Sequence, residues 1–326
     1  MLQRLSASER HFLYDILHLL LFSFDAVSLF LIRDDTIVVH IMFHRGGVVK
    51  QIKTAEIMLP GKKDESMKIE KTVVITGAGS GLGRYISIES AKRGYYPILV
   101  GRSGEKLRSV QRELVDLGVP SDIEEADIRN HTDNKRASEA VLNRTKKIDV
   151  LINNAGAGFF AEADSLSYEK ARQMLEVNLL GLIDWTSFFL PALKEQQNGR
   201  IINIGSMAGR IATPKASAYA ASKAGVIAYS NALRMELKPH RVSIMTVNTG
   251  PVKTPFSNKA DPTGEYEKSV KRLAIRPDKL ARTIVKNMET RTREINLPGY
   301  MNKAAVMYSL FPKTVEQLGK RQFMKK

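Results

Sequence analysis

Tyr219 and Lys223 lie four residues apart in Ser217-Ala218-Tyr219-Ala220-Ala221-Ser222-Lys223, a run of small residues that reads as helix and puts both side chains on one face. A free tyrosine titrates at about pH 10 and is a poor proton donor or acceptor at neutral pH, but a neighbouring ammonium favours the phenolate and lowers that value. The pair can therefore pass a proton to or from an oxygen atom. Ser206, thirteen residues before Tyr219, ends a β-branched run in Asn203-Ile204-Gly205-Ser206-Met207-Ala208-Gly209. Its hydroxyl could bond and orient a carbonyl, or cap a turn. A hydrolase nucleophile does not fit, because the Gly-x-Ser-x-Gly elbow needs glycine at position 204, where the chain has Ile204. Asn178 sits in the apolar helical run Val177-Asn178-Leu179-Leu180. Asparagine is a poor helix former and needs a partner there; it could hold a water that links Lys223 to solvent.

A second group of residues suits a phosphate-bearing ligand. Thr76-Gly77-Ala78-Gly79-Ser80-Gly81-Leu82-Gly83 follows an expected strand and opens an expected helix. Glycines there let the backbone turn tightly and approach a pyrophosphate, whose charge meets free N–H groups and the positive end of the helix dipole. The residue that reads the adenine ribose belongs about 20 residues further on. NAD would call for a carboxylate at that point, but the chain has Gly101-Arg102-Ser103 and no acidic residue before Glu105. Arg102 can offer a planar fork of donors to a 2′-phosphate, which favours NADP(H); the alternative is a solvated surface arginine. Asp127 could accept from the adenine amine or cap a helix. Asn153-Asn154-Ala155-Gly156 is either a turn or part of the ligand crevice.

The elements that must position these groups alternate. Strands are expected at 72–76, 97–101, 123–126, 149–153, 200–205, 242–248 and 294–297. Helices are expected at 82–94, 104–117, 131–147, 166–195 with a break near Gly181, 216–237 and 277–289. Repeated βα units of this kind form an α/β, doubly wound, Rossmann-type parallel sheet of about seven strands, covered by helices on both faces. Ligands then sit at the carboxyl ends of the strands.

With these motifs together, residues 70–300 resemble the short-chain dehydrogenase/reductase family. The resemblance assigns Thr76, Gly77, Gly79, Ser80, Gly81, Leu82 and Gly83 to the cofactor turn, with Arg102 and Asp127 on the adenosine side. Asn154, Ala155 and Gly156 match the element that steadies the sheet. Asn178, Ser206, Tyr219 and Lys223 match the catalytic tetrad. In Thr249-Gly250-Pro251-Val252-Lys253-Thr254, the resemblance places Gly250, Val252 and Thr254 against the nicotinamide, with Thr254 at its carboxamide. Thr249 replaces the family's proline, which puts the rigidity of that loop in question. Ser80 also departs from the many NADP-using relatives that place a second basic residue there. The resemblance implies hydride transfer between nicotinamide C4 and a carbonyl or secondary alcohol. In reduction, Tyr219 would give the proton, Ser206 would orient the oxygen, and Lys223 would bind the nicotinamide ribose while lowering the tyrosine pKa. A cytoplasmic homodimer or homotetramer without a metal is expected.

Two parts of the chain lie outside this reading. Residues 1–66 carry 8 basic and 8 acidic side chains, so the whole formal charge of +16 belongs to residues 67–326, and residues 253–326 hold 17 basic and 7 acidic side chains. Such an excess suits nucleic acid, an anionic membrane or a phosphorylated ligand, and no nucleic-acid motif accompanies it. Residues 12–32 are apolar at 16 of 21 positions, but Asp15, His18 and Asp25 interrupt them, which disfavours a conventional membrane span and leaves an interfacial segment open. Alternatively Met67 is the true start and residues 1–66 an over-extended reading frame; peptides from residues 1–60 in the native protein would reject that. Membrane contact is expected only through residues 1–66. With no cysteine, disulfides, thiolate nucleophiles and Cys-ligated zinc are excluded. Substrate choice is expected in the loop at 250–276 and the C-terminal segment at 295–326. The apolar stretch at 295–312 could be ordinary packing, a lid, a subunit contact or a membrane-facing patch.

Overall fold

The computed structural model of the chain describes residues 26–33, 36–45, 48–58, 71–145 and 147–323. Its contacts divide between Lys68 and Ile69 into two units. In the first unit β1 (Ala26–Arg33), β2 (Thr36–Arg45) and β3 (Val48–Met58) form an antiparallel meander, with a register shift between Phe43 and His44. β-Branched and aromatic residues such as Val27, Phe30, Ile37, Val38 and Val39 suit strands. Of the apolar segment at 12–32, residues 26–32 are strand; residues 12–25 and the alternative start at Met67 lie outside the described residues. Among the described residues no helix is long and apolar enough to cross a membrane.

The second unit carries a seven-stranded, wholly parallel sheet built from β4 (Lys71–Thr76), β5 (Tyr95–Gly101), β6 (Asp122–Glu125), β7 (Val150–Asn153), β8 (Gly199–Ile204), β9 (Val242–Thr249) and β10 (Glu294–Leu297), in the order β10-β9-β8-β7-β4-β5-β6. These are the seven strands expected from the sequence. The chain builds outward from β4 through β5 and β6, then returns to its other side with β7, so the strand order reverses between β4 and β7. Their carboxyl ends open the crevice in which this architecture binds ligands.

Both faces of the sheet are covered, and the period of two shows in the packing. Val73 and Ile75 turn into a cluster with Ile86, Leu107 and Leu280, whereas Val74 between them turns into a cluster with Trp185, Phe189 and Leu233. The covering helices are α1 (Gly81–Ala91), α2 (Gly104–Asp116), α3 (His131–Arg144), α4 (Tyr168–Leu175), α5 (Gly181–Glu195), α6 (Ser217–Glu236) and α9 (Pro277–Lys286). A π-helical turn, Glu176–Leu180, joins α4 to α5 at the break expected near Gly181. Gly181 is needed there, because a Cβ would stand 2.4 Å from the Ile128 carbonyl oxygen.

The sequence pattern left four helices unassigned: α7 (Phe256–Ala260), α8 (Glu265–Val270), α10 (Gly299–Leu310) and α11 (Pro312–Phe323). The first two lie in the loop expected to choose the substrate. The last two occupy the C-terminal segment.

Candidate active site

The glycine turn is shaped by contacts across the β4–β7 crevice. Gly77 and Gly81 have φ of +66° and +55°, which L side chains rarely adopt. A Cβ on Gly83 would stand 2.2 Å from the Gly77 carbonyl oxygen and 2.6 Å from Asn154 Nδ2. That same Nδ2 donates to the Thr76 carbonyl at 2.9 Å, while Thr76 Oγ1 accepts from the backbone N–H groups of Asn154 (3.0 Å) and Ala155 (3.1 Å). Thr76 and Asn154 thus stitch the two strand ends together. Ser80 precedes α1 in extended conformation and makes no capping hydrogen bond with its side chain, which leaves the first turn of α1 open to an anion. The Leu82 side chain packs on the apolar core, as does that of Val252. Thr254 comes close to the turn, its Cβ 3.6 Å from a Cβ built on Gly81.

Arg102 is exposed at the end of β5 and makes no hydrogen bond or short ion pair with any described residue. Lys106, which the sequence reading passed over, stands beside the turn: its Cβ lies 3.0 Å from a Cβ built on Gly79. Ser103 fixes this arrangement by capping α2 through the Lys106 N–H. Asp127 does not cap the helix that follows it, one of the two roles read for it. Arg129 takes its carboxylate, with Nη2 donating at 2.6 Å and Nε at 3.1 Å to each oxygen, and holds it below the usual carboxylate range. The cap of α3 is Asn130, which accepts from the N–H groups of Thr132 and Asp133.

The four expected catalytic residues come from β7's neighbours. Ser206 follows β8, Tyr219 and Lys223 lie in α6, and Asn178 lies in the π turn. Burial pushes the Tyr219 phenol up to about 12, partly offset by its hydrogen bond with the Ser206 hydroxyl. Ser206 Oγ also accepts from the Ala208 N–H at 3.1 Å, which is the turn-capping role read for this residue. Lys223 is only 4 % exposed; Nζ donates to the Ile204 carbonyl at 2.8 Å, and burial pushes its pKa down to about 8. Burial thus sets the direction of the tyrosine's shift, opposite to the lowering expected from the ammonium.

Asn178 is fully buried and has the partners its position demands. Oδ1 accepts from the Ala157 N–H (2.8 Å), and Nδ2 donates to the Ala157 carbonyl and to Ser222 Oγ (both 2.9 Å). Ser222 in turn donates to the Tyr219 carbonyl at 2.7 Å, tying the π turn to α6. Asn178 Oδ1 and Lys223 Nζ flank Gly156, at 3.4 and 3.9 Å from where its Cβ would stand. Glycine keeps the space between them open. Neither Ser222 nor its link to Asn178 is visible in sequence spacing.

The other side of Tyr219 is aromatic. Its ring meets Phe160 edge-on (centroids 5.6 Å apart) and Phe256 at 5.9 Å, and Phe160 packs against Tyr266 at 4.5 Å. Beyond them lies a cavity of about 360 Å³ lined by Phe160, Pro214, Lys215 and Tyr266 among others. Its walls come from the loop after β7, the segment leading into α6, and α8, so the unassigned helices frame the substrate side. Where Thr249 replaces proline, its hydroxyl donates to the Gly250 carbonyl (3.0 Å), and its own carbonyl accepts from Ser206 Oγ (3.4 Å). Backbone pairing of Pro251 and Lys253 with Ile275, at 2.8 and 2.9 Å, holds together the two ends of the segment that contains α7 and α8.

Known proteins share this arrangement. The family model for short chain dehydrogenases matches residues 71–264. Dehydrogenase/reductase SDR family member 7B of Xenopus tropicalis is 29 % identical over 262 residues, covering 76 % of this chain and 83 % of that protein. Two solved structures align over nearly their whole length. Actinorhodin polyketide ketoreductase (F189W) with NADPH has a TM-score of 0.67 at 28 % identity, over 71 % of this chain and 97 % of its own. The 3-ketoacyl-(acyl-carrier-protein) reductase of Brucella melitensis with NADH has a TM-score of 0.64 at 27 % identity, over 70 % of this chain and 96 % of its own. With the parallel sheet, the glycine turn and the Ser206–Tyr219–Lys223 arrangement all in place, the chain belongs to the short-chain dehydrogenase/reductase family.

Proposed function

We propose that the protein is an NADP(H)-dependent oxidoreductase acting on a carbonyl or secondary alcohol. The observation that carries this reading is the meeting of Ser206, at the end of β8, with Tyr219 and the buried Lys223 of α6 at the carboxyl edge of the sheet that also holds the open helix N-terminus of the glycine turn. The residues present fit the cofactor: Gly77, Gly81 and Gly83 leave its diphosphate a path, and the first turn of α1 offers donors. NADP(H) over NAD(H) is supported by exposed Arg102 at the ribose position and by Lys106 beside Gly79. Lys106 supplies the second positive charge that Ser80 does not.

Bound there, the nicotinamide supplies or accepts a hydride at C4. The chain does the rest. Ser206 Oγ orients the substrate oxygen, and Tyr219, protonated throughout the neutral range, donates to that oxygen in the reductive direction. Phe160, Phe256 and Tyr266 exclude water from one side of the phenol. Lys223 holds a positive charge against the ribose, and the gap at Gly156 between Asn178 and Lys223 suits a water that restores the proton. Homodimeric or homotetrameric assembly is part of this reading, supported by exposed Tyr168, Leu175 and Leu180 along α4 and the π turn.

The test is a screen for NADPH and NADH consumption with diverse aldehydes and ketones, paired with Tyr219→Phe. Turnover should fall by about 10³-fold or more in the variant, while NADPH affinity stays within a few-fold. A variant with wild-type turnover would reject the mechanism.

A further inference from the structure

The C-terminal helices α10 and α11 present an apolar surface that the folded chain does not use. Tyr300, Val306, Met307, Leu310, Phe311 and Leu318 are 45–84 % exposed. This is not a loose tail. Ala305 is buried against Met207 and Ile211, Met301 and Tyr308 pack on the same cluster, and a Cβ on Gly250 would meet Met301 Sδ at 2.9 Å. One side of α10 is thus fixed to the carboxyl edge of the sheet, next to the turn that carries Ser206. Its other side carries apolar groups outward, and Leu310-Phe311 closes the corner between the two helices.

The sequence of this segment is mainly basic. Residues 299–326 contain six basic side chains and one acidic side chain, Glu316, which accepts from the Tyr308 hydroxyl at 3.1 Å. Lys303 and Lys313 are exposed beside the apolar corner. A second copy of the chain would bring the same positive charge to a shared interface and repel it. An anionic lipid surface complements both properties, taking the apolar corner into the headgroup boundary and the lysines against its charge.

We infer that the α10–α11 hairpin is a peripheral docking surface for membranes rich in anionic phospholipid, centred on Leu310 and Phe311 and collared by Lys303 and Lys313. This surface does not involve residues 1–66, through which membrane contact was expected, and it stands whichever cofactor the crevice takes. It also gives a use to the positive charge concentrated toward the C-terminus. No membrane crossing is required: the helices lie on the surface with the active-site edge toward it.

The experiment is flotation of the full chain with vesicles of phosphatidylcholine alone or mixed with phosphatidylglycerol, at low and high salt. Wild-type protein should float with the anionic vesicles, and high salt should release most of it. The double variant Leu310→Glu/Phe311→Glu should lose about tenfold or more of the bound fraction, while keeping its melting temperature. Lys303→Glu/Lys313→Glu, which leaves the apolar corner intact, should weaken binding to anionic vesicles alone. The inference is overturned if the wild type does not float with anionic vesicles, if it floats equally without anionic lipid, or if the Leu310/Phe311 variant floats as well as the wild type. It is also overturned if sedimentation shows a dimer that this variant dissociates while no vesicle binding occurs, which would make the surface a contact between copies.

Discussion

Replacing Lys223 by methionine isolates what its buried charge costs the fold. In the native protein burial brings its pKa from 10.5 to about 8, and in the unfolded chain it returns to the ordinary lysine value. Between those values the unfolded chain binds more protons than the native one, so wild-type stability rises with pH across that window. Below pH 8 the full cost is present, and the drop in pKa corresponds to about 3 kcal/mol. Methionine removes that cost but orphans the Ile204 carbonyl, which now accepts from Nζ at 2.8 Å, a loss of about 1 kcal/mol. Lys223→Met should therefore stabilise the cofactor-free protein by about 2 kcal/mol at about pH 7 and destabilise it by about 1 kcal/mol above pH 10.5. Urea unfolding followed by circular dichroism on both proteins at the two pH values gives the comparison, and taking the difference cancels groups that titrate alike in each. A stability difference that stays constant between the two pH values, to within about 0.5 kcal/mol, would refute the claim that the site holds its ammonium against burial.

Arg102→Glu should weaken NADPH by about 100-fold, since it removes a charge-assisted contact and adds a like charge, and should leave NADH within a few-fold; equal losses in fluorescence titrations with the two cofactors would reject 2′-phosphate recognition. Gly83→Ala forces a Cβ against the Gly77 carbonyl and Asn154 Nδ2. Chemical denaturation should register a loss of about 3 kcal/mol, with cofactor affinity lost as well; a variant of wild-type stability would mean that the close approach of α1 to β7 is not required.

What the sequence discloses and what it hides differ in the range of the interactions involved. The strands are legible because a sheet covered on both faces demands continuous β-branched runs such as Val73-Val74-Ile75 and Ile201-Ile202. The glycine turn and the pair Tyr219–Lys223 are legible because their geometry is local: a positive φ, a helical spacing of four. The cap of α3 was misplaced because Asp127 and Asn130 are both capping residue types within one turn, and spacing alone does not decide which of them meets the free N–H groups. Lys106 was passed over because it reaches Gly79 only once Ser103 has capped α2 and β5 has set beside β4. Ser222, Phe160 and Tyr266 act through contacts between segments far apart in the chain. Helix α10 escaped notice because it is apolar on nearly every side and so has no helical period to read.

The replacement of the family's proline by Thr249 shows how such long-range contacts substitute for a local rule. Proline would stiffen the loop through its own ring. Here the stiffness comes from partners: Gly250 N–H donates to the Leu297 carbonyl at 2.6 Å, Ile275 N–H to Pro251 at 2.8 Å, and Lys253 N–H to Ile275 at 2.9 Å. The last two bonds also join the ends of the segment that contains α7 and α8. That segment is therefore anchored at its base, while Phe256 and Tyr266 project from it toward the cavity beside Tyr219. Thr254 itself lies one residue inside that pairing and accepts from the Ser257 N–H at 3.3 Å, so the position beside Gly81 is tied to the start of α7. A rearrangement of α7 therefore acts on Thr254 as well, and the residues best placed to vary without reaching the glycine turn are those of α8 and its flanks, whose Tyr266 lines the cavity.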